Sequence, residues 1–140
     1  MLYEDVRTWR RAATWPVRTR DGASIYEVRD AASWLGLLGQ SAIDVTDHVQ
    51  YDWYRASGVR GRWEIPDWEE LAQRYDAIHL TIDGYLRLAG NPIDTGRGTL
   101  TMVAGWAPDE TYWLTDSFTV VGPSTVWVAY GHDEWRLEST

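Results

Sequence analysis

Five residues capable of chemistry occupy every second position from 79 to 87: His79, Thr81, Asp83, Tyr85 and Arg87. An extended strand would present them on one face at intervals of about 7 Å. A sheet face with an imidazole, a carboxylate, a phenol and a guanidinium suits a polar or phosphorylated ligand. In an enzyme built on it, His79 or Asp83 would act as base, Thr81 and Tyr85 would hold the ligand, and Arg87 would clamp an anion. Arg97, flanked by Gly96 and Gly98, would close over the same ligand, because the glycines let the backbone approach an anion. The solvated face of an antiparallel sheet has the same composition, so the row alone does not demand catalysis.

A second constellation is aromatic and acidic. Trp106, Tyr112 and Trp113 flank the turn Pro108-Asp109-Glu110. Exposed together they would form a recognition tip, since Trp and Tyr bring large rigid contact areas to a partner's surface. A third reading, carbohydrate binding through tryptophan, rests on the ten Trp and eight Tyr that stand against a single Phe.

Other chemistries find little support. Cysteine is absent, which removes disulfides, thiolate catalysis and cysteine zinc sites. His48, His79 and His132 are far apart, and no metal-ligand spacing links them. The adjacent carboxylates Glu69-Glu70, Asp109-Glu110 and Asp133-Glu134 do not converge on one bond as glycoside hydrolysis requires. The chain also lacks a Gly-x-Ser-x-Gly elbow, a Walker loop and a dinucleotide fingerprint. No cofactor and no metal is expected.

The net charge of −8 disfavours a nucleic-acid backbone as main partner. Residues 1–20 run the other way, with Arg7, Arg10, Arg11, Arg18 and Arg20 against Glu4 and Asp5. All thirteen basic residues are arginine, a bias that fits a bacterial genome of high GC content. No apolar run is long enough to span a membrane, so the expected location is the cytoplasm.

These residues need elements to position them. At 140 residues and 44% hydrophobic, the chain is expected to form a single globular domain. Leu2, Val6, Trp9 and Ala13 predict a basic amphipathic helix over 3–14, ended by Trp15-Pro16. Asp21-Gly22 predicts a hairpin joining 17–19 to 25–28. Asp30 is placed to cap a helix bearing Ala31, Trp34, Leu35 and Leu38, which Gly39 would close in a left-handed cap. Val49, Tyr51 and Trp53 alternate as in a short strand, and the loop 57–62 offers Arg60 and Arg62 to an anion. Asp67 and Glu70 predict a capping box for a helix with Trp68, Leu71, Ala72 and Tyr75 on one face. A long strand over 78–88 follows, with Gly84 as a bulge or bend. Residues 63–88 thus form the central helix-strand unit, and residues 99–138 divide into antiparallel strands.

The fold class expected is α+β, with N-terminal helices packed on a mainly antiparallel sheet that meanders through the C-terminal half. The function expected is that of a small acidic binding module that docks a protein partner through Trp106, Asp109, Glu110, Tyr112 and Trp113, in the manner of an immunity, antitoxin or accessory protein. The alternative is a small transferase or hydrolase acting on a nucleotide or sugar ligand through the polar row.

Overall fold

The structure, a computed structural model, describes residues 10–130 and 134–138. Its class is α+β: helices alternate with short strands along the chain. The chain divides into two compact units, 23–116 in the middle and 1–22 with 117–140 outside it.

In the outer unit, strand β1 (Arg11–Thr14) pairs antiparallel with β11 (Thr125–Ala129), which pairs with β12 (Trp135–Leu137). Strand β2 (Val17–Thr19) pairs with β10 (Phe118–Val120). Two expectations fail here. The helix expected over 3–14 falls partly outside the described residues, and its last part is β1. Trp127 Nε1 donates to Thr14 Oγ1 (3.0 Å), and Pro16 bars a helix from continuing through Trp15, so Ala12 and Ala13 take the extended form beside β11. The hairpin expected across Asp21-Gly22 is absent, because β2 finds its partner in β10.

In the middle unit, β3 (Ile25–Val28) lies parallel to β6 (Ala77–Leu80), and β9 (Glu110–Trp113) lies antiparallel on the other side of β6. Two small antiparallel pairs accompany this sheet: β4 (Ala42–Asp44) with β5 (Glu64–Pro66), and β7 (Pro92–Asp94) with β8 (Leu100–Met102). A C-terminal meander is therefore not what forms. β9 pairs with β6 and β10 with β2, both strands that precede residue 99, and within 99–138 only β11 and β12 pair as consecutive strands.

Local chemistry sets the helix starts. Asp30 accepts from Ser33 N (2.8 Å) and Ser33 Oγ accepts from Asp30 N (3.0 Å), a reciprocal cap that opens α1 (Ala31–Leu38). The bond from the Ser33 backbone N–H, and then that from its hydroxyl, hold the Asp30 carboxyl below its ordinary value. Trp34, Leu37 and Leu38 are buried. Gly39 closes α1 in the right-handed region, at φ −67°, rather than the left-handed cap expected.

Residues 46–57, where a strand was expected near Tyr51, form α2 (Thr46–Ser57). Val49 and Trp53 are half-buried while Tyr51 between them is 70% exposed, so the apolar spacing that counts is four and not two. Gly58, at φ 73°, supplies the left-handed residue that ends the helix. Asp67 Oδ1 accepts from Glu70 N (3.2 Å) and starts the short α3 (Trp68–Leu71), but the other half of the expected box does not form, because Asp67 N donates to Ser41 O (3.1 Å), and the helix ends before Ala72 and Tyr75.

The largest departure follows β6. Thr81 is extended and its Oγ1 accepts from Gly84 N (3.0 Å), so the chain enters α4 (Ile82–Leu88) instead of continuing as a strand. Gly84 is no bulge. A Cβ there would stand 2.4 Å from Val28 O, so the residue is glycine because α4 lies against the end of β3.

The core of this unit joins Val28, Ile78 and Leu80 of the sheet to Trp34 and Leu37 of α1, Leu71 of α3, Leu88 of α4, and Val103. Each such aliphatic side chain contributes about 1.5–3 kcal/mol by leaving water. The buried Trp34 Nε1 donates to Thr101 Oγ1 (3.1 Å), which satisfies two polar groups that would otherwise destabilise the core.

Candidate functional site

The site is built on β9 and the turn before it. Strand alternation puts Glu110 and Tyr112 on one face of β9, and Thr111 and Trp113 on the other. On the first face, Ile78 and Leu80 lie opposite Tyr112 and Glu110 in register and are buried. Tyr112 therefore sits at the rim of the core.

Its ring meets that of Trp106 edge to face, with centroids 4.5 Å apart. Trp106 packs on Trp68 at 6.1 Å, and Trp68 on Trp34 at 6.2 Å. A continuous line of rings thus runs from the buried Trp34 to Tyr112, which is 41% exposed. Such ring pairs add roughly 0.5–1.5 kcal/mol each beyond their area, and they fix ring orientation.

The turn is held by polar contacts. Ala107 N donates to Glu110 Oε2 (2.6 Å), and Tyr112 Oη lies 3.4 Å from Gly105 O. Partial burial, and then the Glu110 charge on the same face, push the Tyr112 phenol up from its ordinary value. Asp109 is the one described non-glycine residue with positive φ, at 61°.

The polar row expected on a single strand is divided among three settings. His79 stays on β6, half-buried, with Nδ1 2.9 Å from Thr111 Oγ1 and Nε2 3.4 Å from Asp109 Oδ1. The ring tautomer sets the direction of the Thr111 bond: in the form where the hydroxyl donates to Nδ1, the Nε2–H faces the carboxylate. Thr81 is spent as the α4 cap and also donates to Val28 O (3.2 Å). Asp83 and Arg87 are exposed in the first and last turns of α4, and Tyr85 packs against the core. The helix removes the row, because residues two apart on a helix do not share a face.

Arg97 does not form a flap over His79. It sits in the β7–β8 turn and pairs with Glu64 (2.8 Å). Of the residues expected to meet a partner, Trp106, Glu110 and Tyr112 lie together at the tip, Asp109 turns its carboxylate to His79, and Trp113 lies half-buried on the opposite face of β9.

Two arrangements had no clear signal in the sequence. One is the meeting of His79 with Asp109 and Thr111, which requires β6 and β9 to pair. The other is an open hollow of about 360 Å³ lined by Asp44, Thr46, Asp47, His48 and Arg62. Arg62 belongs to the loop singled out for an anion, but its guanidinium is 2.7 Å from Asp44. Hydrogen bonds from Thr46, and then from Arg62, hold the Asp44 carboxyl well below the usual range. Arg60 lies over the Tyr54 ring (4.1 Å).

Among the described residues, no group of three or more His, Asp or Glu side chains is placed to hold a metal ion, and no helix is long and apolar enough to cross a membrane. Comparison with protein-family models, curated proteins and solved structures finds no match for this chain.

Proposed function

We propose that the chain is a non-catalytic, cytoplasmic binding module that docks a protein partner through the β9 tip, with Tyr112 and Trp106 as anchors and Asp109 and Glu110 as polar rim. The observation that carries this reading is the line of rings ending in an exposed tyrosine. An anchor whose orientation is already fixed by packing loses little entropy on binding, which is the property of interface residues that dominate affinity.

Site-specific photo-crosslinking tests the reading. A benzophenone side chain placed at position 112, and separately at Tyr51 on α2, is irradiated in extract of the native cell. The reading expects one protein adduct from position 112, suppressed by excess unmodified protein and absent from position 51. Equal labelling from both positions would sink it.

A second reading, a small enzyme acting on a nucleotide or sugar, draws on the pairing of His79 with Asp109, since an oriented imidazole is the usual acid–base group. A thermal-shift screen against nucleotides, sugar phosphates and simple glycans separates the two. A concentration-dependent rise in Tm for one class would favour the enzyme, and no rise across the panel would favour the docking module.

A further inference from the structure

The docking reading can be carried to the chemistry of the partner. Four tyrosines among the described residues are exposed: Tyr51, Tyr54, Tyr112 and Tyr130. Three of them already carry a guanidinium of this chain over the ring, with Arg55 5.8 Å from Tyr51, Arg60 4.1 Å from Tyr54 and Arg136 3.7 Å from Tyr130. Tyr112 is the exception. Among the described residues no arginine lies over its ring, and the carboxylate beside it on the same face of β9 is that of Glu110.

Charge points the same way. The middle unit, Ala23–Asp116, carries 15 Asp and Glu against seven Arg, a net charge of −8, whereas the outer unit balances six against six. The whole excess of negative charge therefore belongs to the unit that bears Tyr112. A cation over an aromatic face gains from the ring quadrupole, and a carboxylate on the same strand face adds direct attraction at an approach distance of about 7 Å.

Resting on the docking reading, we propose that the partner presents an arginine that seats over Tyr112, flanked by Glu110, within a basic segment complementary to this unit. The tip thus accepts from another molecule the guanidinium that the other exposed tyrosines receive from their own chain. Arginine suits the seat better than lysine, because its planar, weakly hydrated group stacks on a ring while its N–H groups fork to a carboxylate.

The test uses the full chain and two probe peptides, one with three arginines spaced by glycine and one with lysine in their place, titrated at physiological salt and followed by NMR. The arginine peptide is expected to shift the Trp106 indole and Tyr112 ring signals saturably, and to bind several-fold more tightly than the lysine peptide. Tyr112→Phe, which keeps the ring, should bind within about threefold of the parent. Tyr112→Leu should lose about tenfold or more, in line with one cation–ring contact. Tyr51→Leu should change nothing.

Shifts spread over the carboxylates of the unit without Trp106 and Tyr112 would overturn the proposal, as would equal binding by the Tyr112→Leu protein. If crosslinking at position 112 succeeds but the arginine peptide fails to bind, the docking reading stands and this inference falls. If crosslinking gives no adduct at position 112, both fall.

Discussion

His79 and Asp109 tie the turn before β9 to the middle strand of its sheet: the imidazole Nε2 lies 3.4 Å from the carboxylate of a residue held at φ 61°. The contact joins a group on a regular strand to one in a backbone region that L-residues enter at a cost. Asn tolerates that region nearly as well as Asp, Gly enters it freely, and Ala does not. Asp109→Ala is therefore expected to lose about 1 kcal/mol of stability relative to Asp109→Gly, with Asp109→Asn close to the parent. Urea denaturation of the three proteins checks this, and equal midpoints for the Ala and Gly variants would refute it.

Gly84 and Leu86 separate the helix from the strand that the alternation suggests. In α4, Gly84 is buried against Val28 O and Leu86 is 73% exposed. Gly84→Ala forces the backbone of α4 or β3 to move and should cost about 2–4 kcal/mol. Leu86→Ala should stay within about 0.5 kcal/mol of the parent. A loss above about 2 kcal/mol for Leu86→Ala would mean that its side chain is in the core.

The Trp34–Thr101 bond is buried at both ends. Either Trp34→Phe or Thr101→Val alone strands a polar group, whereas the double substitution removes both partners. The cycle should show a coupling of about 1 kcal/mol. Additive losses in chemical denaturation would show that the bond contributes nothing.

Asp44 controls part of the acid response. Its carboxyl value is lower in the folded chain than in the unfolded one, so the stability it provides is fully present above the unfolded value, near pH 4. That stability is lost as pH falls below this point toward the folded value. Asp44→Asn should lower Tm at neutral pH and flatten the decline of Tm below pH 4. Parallel Tm profiles for the two proteins between pH 2 and 7 would contradict the assignment. Tyr26 behaves in the opposite sense: burial, then Tyr75 and Asp30, raise its phenol, and it donates to Ser33 O (2.8 Å). Its contribution is complete below the unfolded value and disappears as pH rises through the folded one.

What could be read from the sequence was what short-range chemistry decides. The Asp30 and Asp67 starts are side chains bonding to backbone three residues on, and a single stretch of sequence contains both ends of each bond. At Thr81 the same kind of bond was present but hidden, because Ile78, Leu80, Ile82, Leu86 and Leu88 keep a period of two straight through the boundary. Only the exposure of Ile82 and Leu86 shows that two of these five side chains have no core to face.

The strand pairings were beyond reach for another reason. A strand such as Arg11–Thr14 takes its register from Thr125–Ala129, more than a hundred residues away, and nothing local specifies that choice. The candidate site divided along the same line. The cluster around Pro108 is contiguous, so Trp106, Glu110 and Tyr112 lie near one another whatever the distant pairings, while the row from His79 to Arg87 depended on a strand that ends at Leu80.

The outer unit is made from both flanks of the chain, and every described sheet lies wholly within one unit. Arg20 N donates to Ser117 O (2.9 Å), so the chain leaves the outer sheets and returns to them at neighbouring points. The middle segment is in this sense a guest spliced into a host. A guest of this kind can change its surface, or be exchanged for another, without disturbing a ladder of the host. Joining residue 22 to residue 117 by a short linker would leave every described ladder of the host with all of its strands.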